Sequence, residues 1–175
     1  MNKNLIEVLP KVVNHYKDIR EIPQNKGWYD KEFEKSMIAI GWHIDWAWCC
    51  LFDKKCVKEA MEICGYPEDF IKEYLKLYNP SSLKTLQNMK KAGYVIEEPV
   101  AYCTVIYDEG HGKGHTEFFI EKISKGLINC IGGNVSNRVK EVTRSIDSQT
   151  MKIAGYFIYP DNPNYVSQET MLKDF

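Results

Sequence analysis

The chain has 175 residues, 44% of them hydrophobic and 27% charged, with a formal net charge of −1. This is the composition of a globular protein long enough for one domain with a real core and short for two. The near-neutral balance argues against nucleic acid as a partner, and no apolar run is long enough to cross a bilayer.

Leu5, Val8, Leu9, Val12 and Val13 recur at helical spacing and predict a first helix, despite Pro10 near its start. A polar break over Pro23-Gln24-Asn25-Lys26-Gly27 follows. Asp30 then reads as the cap of a helix through Phe33, Met37 and Ile40 that stops at Gly41. Asp45 reads as the cap of the next helix, which carries Cys49, Cys50, Val57, Ala60, Met61 and Cys64 and ends at Gly65 and Pro67. Two shorter helices are expected over 68–77 and 82–92, the second started by Pro80-Ser81-Ser82.

The second half changes character. Residues 102–107 are rich in β-branched and aromatic side chains, as a strand is, and 116–123, 127–131, 135–142 and 151–159 read as further strands. Turn signals at 110–114, 124–126 and 132–133 separate them. Helices first and antiparallel strands afterwards predict an α+β fold, with a helical part over about 1–93 and a sheet part over about 94–160 of a single domain spanning 1–175. No internal repeat, low-complexity stretch or linker interrupts it.

Six cysteines stand at 49, 50, 56, 64, 103 and 130, with no Cys-x-x-Cys pair among them, so neither a metal site nor a cofactor is expected. Met1-Asn2-Lys3-Asn4-Leu5 lacks the apolar core of a secretory signal, which predicts cytoplasmic synthesis, reduced thiols, and any release or injection by another route. Most of the six should be buried small hydrophobes.

Cys49 is the exception. In the first turn of its helix it faces unpaired backbone N–H groups and the positive end of the helix dipole, both of which favour a thiolate. Cys50, about 100° around the helix, belongs to the inward stripe with Val57, Ala60 and Cys64. A thiolate nucleophile needs a base. His15 reads as solvated, His43 as a loop residue near Cys49, and His111 as part of the glycine-rich turn Gly110–Gly114. His115 ends that turn and opens a strand, which makes it the choice. If strands 116–123 and 127–133 form a hairpin through a turn near Ser124-Lys125, Asn134 falls opposite His115, where Cβ atoms lie about 4.5–5.5 Å apart. Asn134 would then orient the imidazole. Glu117, two residues along the same face, is the reserve orienter, and a bulge at Gly126 would shift the register and remove Asn134.

At these residues a resemblance emerges. Trp48-Cys49-Cys50-Leu51-Phe52 resembles the Trp-Cys-Ala-x-Phe segment of CHAP-type and NlpC-type peptidases, papain-like amidohydrolases of which many cut bacterial peptidoglycan. The lead-in Glu21–Gly27, the stretch Lys113–Phe119, Ile131-Gly132-Gly133-Asn134 and the closing segment Ile153–Pro160 are similar to the family's elements in the same order. The resemblance implies a papain-like fold, Cys49 as nucleophile, His115 as base and Asn134 as orienter. It also implies cleavage of peptidoglycan amide bonds by an endopeptidase or N-acetylmuramoyl-L-alanine amidase.

Trp42, Trp46, Trp48 and Tyr102 are candidates to line a groove for such a chain, and Trp46, Trp48 and Glu117 are expected at the substrate; a monomer is expected. The chain departs from the family in lacking a Pro-Gly-Asp element at 97–102, in carrying Thr116-Glu117 after the histidine, and in a helical insertion over 65–93. Two other readings stay open: a papain-like hydrolase or acyltransferase on a different amide, and a catalytically silent binding domain.

Overall fold

A computed structural model of the chain describes residues 5–164. Five helices precede a six-stranded sheet, so the α+β expectation is met. Helix α1 (Leu5–His15) buries Leu5, Val8, Leu9, Val12 and Val13, the predicted stripe. Helix α2 (Lys31–Ala39) starts where Asp30 accepts from the N–H groups of Glu32 and Phe33 at 3.0 and 2.9 Å. Its last turn closes with the Gly41 N–H on Ile38.

Helix α3 (Cys49–Ile63) starts later than a cap at Asp45 requires. Asp45 stands at φ 71°, its N–H donates to the Asn25 carbonyl at 2.8 Å, and its carboxylate pairs with Lys26. That left-handed residue belongs to a turn. The helix begins only after Trp48, which is wholly buried and whose indole N–H donates to Glu21. No side chain caps this helix, which leaves Cys49 as its first residue.

Trp48 is the centre of an aromatic cluster. Its ring lies 5.3 Å from Trp28 and 6.0 Å from Phe52, and Trp28 stands 4.5 Å from Trp42, all edge to face. This packing sets where α3 begins, and it removes Trp48 from the substrate-facing role expected of it. Trp42 is buried in the same cluster.

Helices α4 (Glu68–Leu75) and α5 (Ser82–Lys91) follow, α5 capped by Ser81. The strands are β1 (Val95–Ile96), β2 (Thr104–Gly110), β3 (Lys113–Ser124), β4 (Leu127–Gly132), β5 (Lys140–Ser145) and β6 (Lys152–Phe157). They lie in the order β1-β6-β2-β3-β4-β5 with antiparallel neighbours. The strand expected over 135–142 starts only at Lys140, because Ser136 and Asn137 stand at φ 52° and 62° in a turn. The strand expected from Tyr102 starts at Thr104, with Tyr102 at φ 60°.

Helices and sheet share one apolar cluster, in which Phe52, Val57 and Met61 of α3 meet Ile106, Phe118, Ile131 and Phe157 of the sheet. Cys103, Val105, Tyr107, Phe119, Ile128 and Cys130 form a second cluster. Phe118 and Phe119 fall in different clusters because successive side chains of a strand point to opposite faces. His115, Glu117 and Phe119 therefore share one face of β3, and Thr116 and Phe118 the other. Among the described residues no helix is long and apolar enough to cross a membrane.

Gly133 is where the end of β4 meets the aromatic cluster. A Cβ there would lie 2.5 Å from the Trp48 ring and 2.7 Å from Phe52 Cβ. Because Trp48 has no free side to move into, Gly133→Ala is expected to lower stability by about 1–3 kcal/mol, the usual cost of overpacking. Urea unfolding at matched pH measures this; a wild-type midpoint would mean that the contact relaxes without cost.

Candidate active site

Cys49, His115 and Glu117 come together, and the route to that meeting is local. The β3–β4 pairing ends at Phe118↔Ile131, while β4 pairs with β5 along its whole length, from Leu127↔Ser145 to Gly132↔Lys140. The β3 backbone at His115–Thr116 therefore has an open edge. The first residue of α3 docks there, where the His115 imidazole and the Thr116 backbone N–H both act on the Cys49 sulfur and lower its pKa. Cys49 is 4% exposed and His115 8%. The ring of Tyr107, the direct β2 partner of His115, lies nearly parallel to the imidazole at 6.3 Å.

The Nε2 of His115 lies 3.1 Å from Oε1 of Glu117, which leaves Nδ1 for the sulfur. Glu117 is buried and is itself held from behind by Arg144 of β5, whose Nε stands 3.1 Å from each carboxylate oxygen and whose Nη2 also donates to Oε1. The result is a row of alternating charge: thiolate, imidazolium, carboxylate, guanidinium.

Asn134 is not in that row. It lies past the end of β4 at φ 60°, and its amide donates to the Asn25 side chain at 3.3 Å. The hairpin register behind its assignment is real at Phe118↔Ile131, but β4 ends at Gly132 before the pairing can extend to His115. The position behind the imidazole is filled by Glu117, whose carboxylate is buried between His115 and Arg144 and not open to a substrate. Gly132 makes room for it. A Cβ at Gly132 would lie 2.8 Å from Glu117 Cγ and 3.1 Å from the Thr116 carbonyl oxygen.

The electrostatics derive from these contacts. Burial pushes the Cys49 thiol up, but the charge and hydrogen bond of His115, with bonds from Ser82 and the Thr116 backbone, outweigh it and bring the thiol below its ordinary value. Burial pushes His115 down, and this is outweighed by the charge and hydrogen bond of Cys49 and then by Glu117, which raise the imidazole to about 10. Glu117 is likewise driven up by burial and held below its ordinary value by His115 and Arg144. Four other thiols behave oppositely. Burial pushes Cys50 and Cys56 up, and carries Cys103 and Cys130 to about 12. Cys49 is thus set apart from these four, the thiol whose surroundings favour its charged form.

His15 and His111 are exposed. His43 stands 4.8 Å from the ring of Trp46, which is 42% exposed on the loop before Cys49. Among the described residues no group of three or more His, Cys, Asp or Glu side chains is placed to hold a metal ion. Sequence reasoning missed Arg144 and Ser82. Arg144 lay beyond the strand expected over 135–142, and Ser82 was read only as part of a helix start.

His115 should remain protonated through neutral pH and lose its proton near pH 10. Glu117→Gln removes one of its two negative partners and lowers that midpoint; Cys49→Ala removes the larger one and lowers it further. Imidazole NMR titration measures both. An unmoved midpoint in Glu117→Gln would remove Glu117 from the orienting role. Gly132→Ala should act in the same direction by displacing the Glu117 side chain, and should also lower the unfolding midpoint, since its Cβ crowds the Thr116 carbonyl oxygen.

No family model and no curated protein matches the chain.

Proposed function

We propose that this protein is a papain-like cysteine hydrolase that cleaves amide bonds of peptidoglycan, with Cys49 as nucleophile, His115 as proton donor and acceptor, and Glu117 as orienter. The observation that carries the reading is the contact between a thiol on the first residue of an uncapped helix and an imidazole held from behind by a buried carboxylate. This is the arrangement of an activated nucleophile with its base and the base's positioning group. The wall substrate rests on the resemblance of Trp48–Phe52, Lys113–Phe119 and Ile131–Asn134 to wall-cutting peptidases. Trp46, partly exposed beside the nucleophile loop, is the aromatic surface we assign to the substrate chain.

The geometry supports a two-step acyl transfer. The Cys49 thiolate attacks the amide carbonyl carbon, and the carbonyl oxygen takes up the negative charge. The Cys49 N–H, one of the four at a helix start with no partner in the helix, is available to that oxygen. The tetrahedral intermediate collapses, the C–N bond breaks, and the His115 imidazolium gives its proton to the leaving amine. Acylation turns the thiolate into a neutral thioester. The largest influence raising His115 is then gone, so its pKa falls and the ring can accept a proton from water. That water attacks the thioester, releases the acid and restores the thiolate–imidazolium pair.

Purified protein and Cys49→Ala, incubated with purified peptidoglycan, test the reading by mass spectrometry of the soluble products. New amine ends from the wild type alone are expected, and their position identifies the bond. Glu117→Gln should cut the rate by about a hundredfold or more, the usual share of an oriented acid–base group. No products from several wall types would overturn the wall substrate. Rapid iodoacetamide capture of Cys49 at neutral pH would then leave a different amide as the target, and its absence would overturn the catalytic reading as well.

A further inference from the structure

We propose that Ser82, the first residue of α5, is a third side chain of the nucleophile's machinery: its hydroxyl donates to the Cys49 sulfur and holds the thiolate in place. This rests on the reading of Cys49 as a thiolate nucleophile and adds a residue from the helical segment that no family motif covers.

The hydroxyl has one proton to give, and its surroundings determine where it goes. Thr116 Oγ1 donates to Ser82 Oγ at 2.7 Å, which occupies an acceptor position of the serine and leaves its proton free. The Cys49 sulfur lies 3.8 Å from Ser82 Oγ, a separation that the larger radius of sulfur accommodates. Ser82 is 3% exposed and Thr116 1%, so little water competes for that proton. The order Thr116 to Ser82 to Cys49 points every donor toward the sulfur. Ser82 is among the bonds that bring the thiol below its ordinary value.

The approach of α5 to the site is a built feature. Gly114, next to His115, has a missing Cβ that would lie 2.9 Å from the Tyr107 carbonyl oxygen, 3.0 Å from Leu83 Cγ and 3.3 Å from Ser82 Cβ. A side chain there would lift the first turn of α5 off β3 and take Ser82 with it. Further along, Cys50 Sγ meets Thr85 Oγ1 at 3.3 Å, and the Tyr78 hydroxyl donates to Asp53 at 2.7 Å. The segment is thus fastened to the nucleophile helix by polar pairs over successive turns, with Ser82 at the reactive end. Two helix starts meet at the sulfur, that of α3 through Cys49 itself and that of α5 through Ser82, and both favour negative charge there.

The test reads the thiol directly and needs no substrate. The pH dependence of iodoacetamide capture of Cys49 is measured in wild type, Ser82→Ala and Thr116→Val, with Cys49→Ala in each background to subtract the other thiols and thermal unfolding to check the fold. Ser82→Ala is expected to raise the midpoint by about one pH unit, and Thr116→Val by less, since it loosens Ser82 without removing its proton. Wild-type midpoints in both variants would overturn the proposal. If Ser82→Ala does not fold, Thr116→Val decides alone, and an unmoved midpoint overturns it. An ordinary thiol midpoint in the wild type, about 8.5, would overturn the thiolate reading and the role of Ser82 together. A raised midpoint in Ser82→Ala alongside intact peptidoglycan would support Ser82 while overturning the wall substrate.

Discussion

A charged sulfur is expensive to bury, and the fold around Cys49 is arranged to make that charge tolerable. An isolated buried ion would neutralise itself by a pKa shift rather than persist. Here the imidazolium of His115 answers the thiolate, Glu117 answers the imidazolium and Arg144 answers the carboxylate. Each group meets opposite charge, and the last, Arg144, reaches partial contact with solvent at 22% side-chain exposure. The helix start, the open strand edge and the close packing at Gly132 are each conditions for this row to exist.

The close approaches show how narrowly that row is defined. Gly114 admits the first turn of α5, Gly132 admits the Glu117 side chain, and Gly133 admits the Trp48 ring. All three flank the site, and in none of them is a left-handed backbone the reason for glycine; what matters is the absent Cβ. The glycine-rich turn before His115 and the Gly132-Gly133 pair are therefore contact surfaces as much as turns.

What the sequence made legible was local. The stripe of α1, the Asp30 cap and the breaks at Gly41 and Gly65 depend on neighbours within a turn or two, and a single chain displays those. Cys49 was legible at its helix start, and His115 just past the glycine-rich turn, although its strand opens at Lys113, two residues earlier than expected. The start of α3 was misplaced because Asp45 is drawn into a turn by Asn25 and Lys26, neither of them adjacent in the chain. Asn134 was chosen by extending a hairpin beyond Phe118↔Ile131, where the β3–β4 pairing ends, and periodicity carries no record of where a pairing stops. Register shifts between Phe119 and Glu121 and between Lys122 and Ser124 add to that difficulty. Trp48 was offered to substrate because an aromatic beside a nucleophile looks the same in sequence whether it faces a groove or a core. Ser82 and Arg144 reach the site only through tertiary contacts of α5 and β5.

The position of Arg144 ties the centre of the molecule to its margin. β5 is the outermost strand on its side of the sheet, with β4 as its one strand neighbour, and its residues are partly buried or exposed. Outer strands are where local opening is easiest, at free energies well below that of global unfolding. Each time β5 lifts from β4, Glu117 is left as a buried carboxylate without its guanidinium, and the charges ahead of it in the row lose their balance in turn. The charges at the sulfur thus depend on a margin strand that touches neither the sulfur nor the imidazole, and anything that clamps that margin would steady them from a distance.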